Sequence, residues 1–239
     1  MAAEEYINAN YTVKGNLTFE NVNGVCVVNC GDVWATNKKI EKLTEGFVWG
    51  KVEANFACFD CENLKSLEGA PKEIGEDFDC SNCKKLISLE GAPETVGGAF
   101  TCADCKNLIS LEGAPKEVSG AFDCSNCKLT SLEGAPKEVG DDFNCSRNDG
   151  LKTLEYSPKV VGGSFACYEC ENLKSLEGVP ETVGKDFDCS DCKNLISLKG
   201  APKEVGRYFD CCDCENLKSL EGAPKKAKRI DCDERLKKL

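Results

Sequence analysis

Apolar residues recur along this chain with a period of 22 positions. Most periods read Phe-x-Cys-x-x-Cys, then two leucines, then Ala-Pro and finally Val-Gly. The phenylalanines that mark the periods are Phe56, Phe78, Phe100, Phe122, Phe143, Phe165, Phe187 and Phe209. A repeat of this length is too short to bury its own apolar face, so its copies must stack on one another. The pattern therefore predicts a solenoid, which excludes most enzyme folds.

The spacing inside one repeat assigns a direction to each side chain. Phe56 and Cys58 lie two positions apart, so in an extended strand they share a face and the residue between them points the other way. Leu64 and Leu67 supply two further inward contacts. Gly69 permits a turn that needs positive φ, and the proline after it stiffens the return path. Each repeat is thus predicted to be one rung with a short strand.

The region before the repeats has a different pattern. Two β-prone runs between Tyr11 and Val28 are separated by the turn-rich tetrad Asn21–Gly24, which predicts a hairpin. Its second strand carries Val25-x-Val27-x-x-Cys30, the spacing of a divergent first rung. The stretch from Trp34 to Trp49 has apolar residues at helical spacing and predicts a short helix.

These patterns divide the chain into three parts. We expect an N-terminal cap over residues 1–54, eight repeats over residues 55–229 and a polar C-terminal cap over residues 230–239. About ten rungs spaced ~4.8 Å apart give a stack roughly 45 Å long. The repeat that begins at Phe122 is one residue short, so an irregularity is expected near Leu129.

The strand pattern resembles that of leucine-rich repeat proteins. Phe78-x-Cys80-x-x-Cys83 matches the family's leucine-x-leucine-x-x-asparagine/cysteine signature, and the cysteine-rich repeat is similar to the bacterial or phage Treponema/BspA-like type. Asn148 replaces the second cysteine of one repeat, and asparagine is the residue with which the family more often bonds the turn backbone. The resemblance covers roughly residues 25–232. It implies a β-solenoid-like, curved stack of about ten parallel strands with an irregular convex side and a concave strand face that binds partners.

The composition argues against several functions. The chain has no histidine, which removes the commonest general base and metal ligand, and no nucleophile elbow or phosphate loop is present, so we expect no enzyme and no cofactor. A formal charge of -11 disfavours direct binding to nucleic acid or to an anionic membrane. No signal peptide is recognisable at the N-terminus, which predicts a cytoplasmic location, or the host cytosol if a phage encodes the chain.

The 19 cysteines leave three interpretations open. The spacing of Cys61, Cys80 and Cys83 is close to that of a zinc ribbon, but a solenoid stacks cysteines in straight columns instead of gathering them on one ion. Disulfides between stacked rungs are geometrically possible, although the count is odd. The favoured interpretation is that free cysteines act as small buried apolar residues. Cys212 falls at an outward position and is expected to be exposed and reactive.

The outward positions of the strands carry most of the charge. Four positions per repeat, namely the residue before Phe, the residue between Phe and Cys, and the two after Cys, hold twelve acids and one base, Arg147. The acids are Asp60, Asp77, Asp79, Asp104, Asp123, Asp142, Glu169, Asp186, Asp188, Asp191, Asp210 and Asp213. Twelve acids and one base give -11, which equals the charge of the whole chain. Phe59, Tyr168 and Tyr208 interrupt the acids and are candidate binding anchors.

These residues favour a non-enzymatic protein–protein interaction module that binds a basic partner, including nucleic-acid-binding proteins, on an acidic concave face. An alternative is a phage-type inhibitor of a host defence or nucleic-acid-binding enzyme that mimics nucleic acid, as anti-CRISPR proteins do. A second alternative is a metal-binding or redox protein that uses the Cys-x-x-Cys array. The acids could also serve solubility alone.

Overall fold

The structure, a computed structural model, describes residues 2–237; Met1 and residues 238–239, the last two of the predicted C-terminal cap, lie outside them. One helix and five strands precede the regular repeats. They are α1 (Ala2–Asn10), β1 (Tyr11–Lys14), β2 (Thr18–Val22), β3 (Val25–Cys30), β4 (Asp32–Ala35) and β5 (Val48–Val52). Within residues 2–237, no helix has the length and apolar composition that spanning a membrane requires.

One long parallel sheet, which we call the Phe sheet, contains the phenylalanine of every repeat. We number the rungs 1 to 8 in the order of these phenylalanines. The strands are β6 (Phe56–Ala57), β8 (Phe78–Asp79), β10 (Phe100–Thr101), β12 (Phe122–Asp123), β14 (Phe143–Asn144), β16 (Phe165–Ala166), β18 (Phe187–Asp188), β20 (Tyr208–Asp210) and β21 (Arg229–Asp231). Strand β4 pairs in parallel with β6, and β1 pairs antiparallel with β4 at the N-terminal edge. The predicted stack of short parallel strands is confirmed.

A second parallel sheet, the Val sheet, forms on the opposite side of the rungs. Its repeat strands are β7 (Glu73–Ile74), β9 (Thr95–Val96), β11 (Glu117–Val118), β13 (Glu138–Val139), β15 (Val160–Val161), β17 (Thr182–Val183) and β19 (Glu204–Val205). Strands β5, β3 and β2 continue it toward the N-terminus. The side that the sequence predicts to be irregular therefore has ladder pairing of its own, through two residues per rung. The prediction that Val25-x-Val27-x-x-Cys30 is the first rung in register with the phenylalanines is wrong, because Val33 of β4 is the residue that pairs with Phe56.

The core between the two sheets consists of like residues stacked in columns. Successive phenylalanine rings lie 5.1 to 5.8 Å apart between centroids, and all of them are fully buried. Each ring lies within 16° of parallel to its neighbour except the pair Phe143 and Phe165, which is tilted by 44°. The cysteines and leucines of the repeats form further buried columns. Rung 5, which contains Phe143, is the point at which the stacking of rings departs from regularity.

The predicted N-terminal hairpin is confirmed, since β2 and β3 pair antiparallel around Asn23 and Gly24, which have φ of 53° and 86°. The helix predicted over Trp34 to Trp49 is wrong. The carbonyl of Leu43, which a helix would pair with the amide four residues on, accepts the Tyr11 hydroxyl at 2.8 Å and the Trp49 indole N–H at 3.3 Å. The segment is an irregular loop that still buries its apolar side chains, and the helix is α1 instead.

The C-terminal end of the stack is closed by a charged side chain. Arg235 stands where a second cysteine would stand in a ninth rung, and its guanidinium donates to the carbonyls of Cys214 and Leu217. The Cys214 carbonyl also accepts the Leu217 N–H of its own rung at 2.9 Å. Leu236 is buried beneath the same turn. The end of the core is thus covered by one apolar residue while the last carbonyls are satisfied by an arginine.

The missing residue of rung 4 does not disturb the Phe sheet. Phe122 remains paired with Phe143, one rung further along. On the loop side, the Lys128 amide donates to the Leu108 carbonyl at 3.0 Å, and the Leu129 amide donates to the Asn148 side chain at 3.1 Å. The missing residue therefore shortens only the segment between the second cysteine and the first leucine of the rung. The backbone pairing that changes as a result lies on the opposite side, in the Val sheet.

The phenylalanine column should contribute strongly to stability. Replacing Phe122 by alanine leaves a cavity between two neighbouring rings, so we expect a loss of about 3–5 kcal/mol in the free energy of unfolding. Urea unfolding followed by circular dichroism measures it. The matched control, Ile109→Ala at an exposed position, should change stability by less than about 0.5 kcal/mol. Equal losses in the two variants would contradict the column as the core.

Candidate functional site

The candidate site is the outward side of the Phe sheet, which we call the Asp face: the residue before Phe, the residue between Phe and Cys, and the two after Cys in rungs 1 to 8. None of the sixteen predicted site residues is fully buried. Because neighbouring rungs pair in register, equivalent positions stack in columns; Asp188, for example, is paired with Asp210. The structure thus brings the predicted acids onto one face.

The column between Phe and Cys has a local reason to contain aspartate. In Asp79, Asp123, Asp188 and Asp210 a carboxylate oxygen accepts the backbone N–H two residues further on, at 2.8 to 2.9 Å. This is an Asx turn, which ends the two-residue strand. Asn144 makes the same bond at 3.1 Å in rung 5. Five of the eight rungs thus have a short side chain with a carbonyl-type oxygen at this position, and the other three have Ala57, Thr101 and Ala166.

The column before Phe links successive rungs. The carboxylates of Asp77, Asp142 and Asp186 accept the backbone N–H of the equivalent residue one rung on, at 2.7, 2.6 and 3.1 Å. Asn55 accepts the Asp77 N–H in the same way at 3.0 Å. These side chains satisfy amides at the edge of the strand, where the ladder begins.

The second residue after Cys adopts a left-handed backbone in every rung. The residues concerned, with φ between 53° and 61°, are Asp60, Asn82, Asp104, Asn126, Arg147, Glu169, Asp191 and Asp213. Aspartate and asparagine tolerate this conformation better than most residues. Asn82 donates to Asp60 and Asn126 donates to Asp104 across rungs. In rungs 7 and 8 two carboxylates, Asp191 and Asp213, are neighbours instead.

Most carboxylates of the Asp face have no ion pair among the described residues. Four of the twelve lie within 4 Å of a cation: Glu169 with Arg147 at 3.0 Å, Asp104 with Lys106 at 3.4 Å, and Asp142 and Asp186 with Lys185 and Arg207 at 3.8 Å. The other eight are Asp60, Asp77, Asp79, Asp123, Asp188, Asp191, Asp210 and Asp213. None of these eight carboxylates has a cation of the described part of the chain within 4 Å.

Outside the Asp face, four glutamates of the repeats pair with lysines of the next rung. Glu171 lies 2.8 Å from Lys193, and Glu181 lies 2.7 Å from Lys203. Such exposed pairs contribute little to stability, about 0–1 kcal/mol each. Carboxylates without an ion pair among the described residues also occur on the turns, at Glu68, Glu90, Glu112 and Glu133.

The three predicted aromatic anchors are already covered by cations of the same chain. Lys38 Nζ lies 3.7 Å from the centre of the Phe59 ring, and the Arg147 guanidinium lies 5.3 Å from that of Tyr168. Tyr208 has Arg207 and Arg229 each at 5.2 Å. Lys38, Arg207 and Arg229 lie outside the four outward positions, so counting charge at those positions missed the basic residues at the border of the face. The aromatics are in place, but they are not free surfaces.

The prediction that Asn148 takes the place of a cysteine is confirmed. Its side-chain amide donates to the carbonyls of Cys124 and Cys145 at 3.0 and 2.9 Å. In the other rungs the second cysteine points its thiol at the carbonyl of the first cysteine one rung earlier, as Cys105 does to Cys80 at 3.3 Å. Thiol and amide thus occupy one structural position, and the second cysteines are core residues.

Most thiols of the cysteine columns have the properties of inert core residues; the exception is Cys214, whose pKa is lowered by the hydrogen bond with the Cys189 thiol. All 19 cysteines are free, and 17 of them are buried. Burial, with a contribution from the Cys127 thiol, raises the pKa of Cys105 to about 12, so the reactive thiolate is disfavoured. Within residues 2–237, no three cysteine, aspartate or glutamate side chains converge so that they could hold a metal ion.

Cys212 does not have the environment predicted for it. The thiol is partly buried instead of exposed, and it lies next to Asp210 at the acidic end of the face. Burial first, and then the hydrogen bond and charge of Asp210, raise its pKa to about 12. The position is outward, as expected, but neighbouring carboxylates oppose formation of a thiolate.

Comparison with known proteins gave no match to a family model, to a curated protein or to a solved structure. The resemblance to leucine-rich repeats therefore remains a resemblance of sequence pattern. What the Asp face does has to be argued from its own geometry and charge.

Stacked carboxylates should carry a cost that one substitution relieves. Burial, and then the nearby Asp210 and Asp191, raise the pKa of Asp188. A raised pKa in the folded state means that the charged form is disfavoured there, so its contribution to stability is lost as pH rises. We expect Asp188→Asn, which keeps the Asx turn as Asn144 does, to be more stable than the parent at pH 7.

The stability difference should shrink as pH falls toward the ordinary range of an aspartate, because Asp188 is then protonated in both states. Thermal unfolding of parent and variant between about pH 3 and 7 measures this dependence. A variant that is less stable than the parent at pH 7 would contradict the repulsion.

The surroundings of Cys212 also predict an order of reactivity. With iodoacetamide under native conditions at neutral pH, we expect Cys26 to be alkylated before Cys212, since Cys26 is partly exposed and lies away from the acidic end of the face. Peptide mapping by mass spectrometry identifies the modified residue, and Cys26→Ser serves as the control. Preferential modification of Cys212 would show that its environment favours the thiolate.

Proposed function

We propose that this protein is a non-enzymatic binding module whose Asp face takes a basic segment of a partner protein. The observation that carries the proposal is the set of eight carboxylates that lie in register on one face without an ion pair among residues 2–237. A surface of one sign attracts ligands of the opposite sign and speeds their association.

The choice of aspartate over asparagine supports a role for the charge. Asn144 makes the same Asx turn as its aspartate counterparts, and Asn55 makes the same bond between rungs. The turn therefore uses the oxygen and does not need the charge. At Asp188, burial and then the neighbouring Asp210 and Asp191 make the charged form unfavourable for folding. Binding a cationic partner would offset that cost.

The carboxylates are also held in place before any partner arrives. Backbone amides fix one oxygen of Asp79, Asp123 and Asp210, and leave the second oxygen of each available. Side chains that are already ordered lose little conformational entropy on binding, which improves affinity. The rungs repeat at ~4.8 Å, so an extended basic segment finds several carboxylates within reach along the stack.

The chain's own arginines illustrate the kind of contact that the face makes. The Arg147 guanidinium lies over Tyr168 and is bonded to Glu169 at 3.0 and 3.2 Å. Planar guanidinium groups combine stacking on a ring with bidentate carboxylate bonds better than ammonium groups do. We therefore favour a partner segment rich in arginine.

The test removes charge from the face while keeping its hydrogen bonds. One variant carries Asp79→Asn, Asp123→Asn, Asp188→Asn and Asp210→Asn. The control carries Glu68→Gln, Glu90→Gln, Glu112→Gln and Glu133→Gln at exposed turn positions. Each set changes the formal charge from -11 to -7, since four charges are removed.

The probe is a fluorescent oligo-arginine peptide, titrated at about 0.15 M salt, where the Debye length is about 8 Å. We expect the aspartate variant to bind at least about tenfold more weakly, and the glutamine control to stay within about twofold of the parent. Equal weakening in both variants would mean that only net charge matters, and the proposed site would be wrong.

A further inference from the structure

Between rungs 1 and 8, the backbone ladder of the Val sheet is open at two places. Where rungs meet regularly, a carbonyl just before the strand accepts the amide of the equivalent residue one rung on. Lys72 accepts from Glu94 in this way at 2.8 Å, and Lys137 accepts from Lys159 at 2.7 Å. Between rungs 3 and 4 the corresponding groups are the Lys116 carbonyl and the Lys137 N–H. Among the described residues, these two groups make no backbone hydrogen bond.

A second opening follows two rungs later. The Lys159 carbonyl and the Glu181 N–H, between rungs 5 and 6, likewise make no backbone hydrogen bond within residues 2–237. The next contact is regular again, with Lys203 donating to Glu181 at 2.7 Å. At this position of the ladder, rungs 4 and 5 are therefore bonded to each other but not to rung 3 or rung 6, although the strands pair one or two residues further on. We call the two openings the first seam and the second seam.

The local sequence explains why the seams are here. Rung 4 is one residue short, yet its Phe strand stays in register, so the shortage has to appear on the opposite side. Rung 5 has Tyr156 with φ of 67° where the other rungs have glycine, and Val160 where several have glutamate. The ladder closes again beyond each seam, where Val118 pairs with Val139 and Val161 pairs with Val183.

Each seam opens into a groove on the surface. The groove at the first seam has a volume of about 700 Å³ and is bordered by Ala135 and Pro136 of rung 4. The groove at the second seam has a volume of about 530 Å³ and contains Pro180. Val160 borders both grooves and is 51% exposed. An exposed valine between two grooves provides an apolar contact that the solenoid itself does not use.

The chemistry of the first seam defines what could fill it. It offers one donor, the Lys137 N–H, and one acceptor, the Lys116 carbonyl, the groups whose counterparts bond each other at the closed contacts and which make no backbone hydrogen bond here. A peptide group supplies the complementary acceptor and donor, as an added strand does at a sheet edge. Lysines and glutamates alternate along the rim, so charge gives no preference. Pro136 and the exposed Val160 line the groove, and they favour contact with an apolar, β-branched side chain.

We propose that the first seam is a binding site for an extended, uncharged segment of another polypeptide. One peptide group of that segment bridges the Lys116 carbonyl and the Lys137 N–H, and a β-branched side chain packs on Pro136 and Val160. The site lies on the Val sheet, so it is separate from the Asp face and does not depend on the function proposed for that face.

The probe is the peptide acetyl-Thr-Val-Thr-Val-Thr amide, titrated into the ¹⁵N-labelled full chain. Saturable shifts of the Lys137 and Val160 amide signals, with little change at Glu94 beside a closed part of the ladder, are the expected result. A probe methylated on its central amide nitrogen cannot donate to Lys116 and should bind at least about tenfold more weakly. Equal binding of the two probes, or no saturable shift, would overturn the proposal.

Two variants test the site from the side of the protein. Insertion of one asparagine between Lys128 and Leu129 restores the full rung length found between Cys105 and Leu108. It should close the seam and weaken probe binding by at least about tenfold. Val160→Glu, an exposed change that cannot disturb the core, removes the apolar contact and should weaken binding as well. Parent-like binding in both variants would overturn the proposal.

The Asp-face variant with four asparagines separates the two proposals, since it leaves the seam intact. Unchanged binding of the threonine–valine probe to that variant supports a distinct site. A parallel loss of both the arginine probe and this probe would show that the seam is not an independent site, and would overturn the inference.

Discussion

Every part of this protein depends on the backbone hydrogen bonds that join each rung to the next in register. Because Phe56 pairs with Phe78, and so on along the Phe sheet, each residue type falls above its own copy. Like side chains then form columns: rings on rings, thiols on carbonyls, carboxylates beside carboxylates. A substituted side chain must therefore fit against the two adjacent rungs. Asn148 does so because its side-chain amide donates to the same type of carbonyl as a cysteine thiol.

Stacking in register also has two opposing effects on the Asp face, one from hydrogen bonding and one from charge. Stacking in register repeats the need for an oxygen that accepts a backbone amide, which aspartate and asparagine meet equally well. Stacking also repeats any charge, and the pKa of Asp188 is raised first by burial and then by the neighbouring Asp210 and Asp191. The chain alternates Asn82 with Asp60 in the first rungs, which keeps two charges from being neighbours, but not in rungs 7 and 8. We propose that the charge that remains serves a basic partner.

The 22-residue period was enough to predict the solenoid, the inward and outward positions, and the place of Asn148, because periodicity and side-chain direction are local properties of a strand. The loop before Trp49 was not predictable from periodicity, since the bonds that prevent a helix come from Tyr11 and Trp49 rather than from the segment itself. The cations over Phe59 and Tyr208 were missed for a related reason, as they come from positions beside the strand. The missing residue of rung 4 was evident from the sequence. Its effect, the first seam, lies on the opposite side of the rung, and only the three-dimensional structure shows it.

Between rungs 1 and 8, the backbone ladder is continuous on the Phe sheet and interrupted at two seams on the Val sheet. Hydrogen–deuterium exchange, followed residue by residue by NMR, tests this most directly. We predict slow exchange of the phenylalanine amides of rungs 2 to 7, slow exchange of Lys159 and Lys203, and fast exchange of Lys137 and Glu181. Protection of Lys137 and Glu181 equal to that of Lys159 would contradict the seams. Fast exchange along the phenylalanine column would contradict the fold itself.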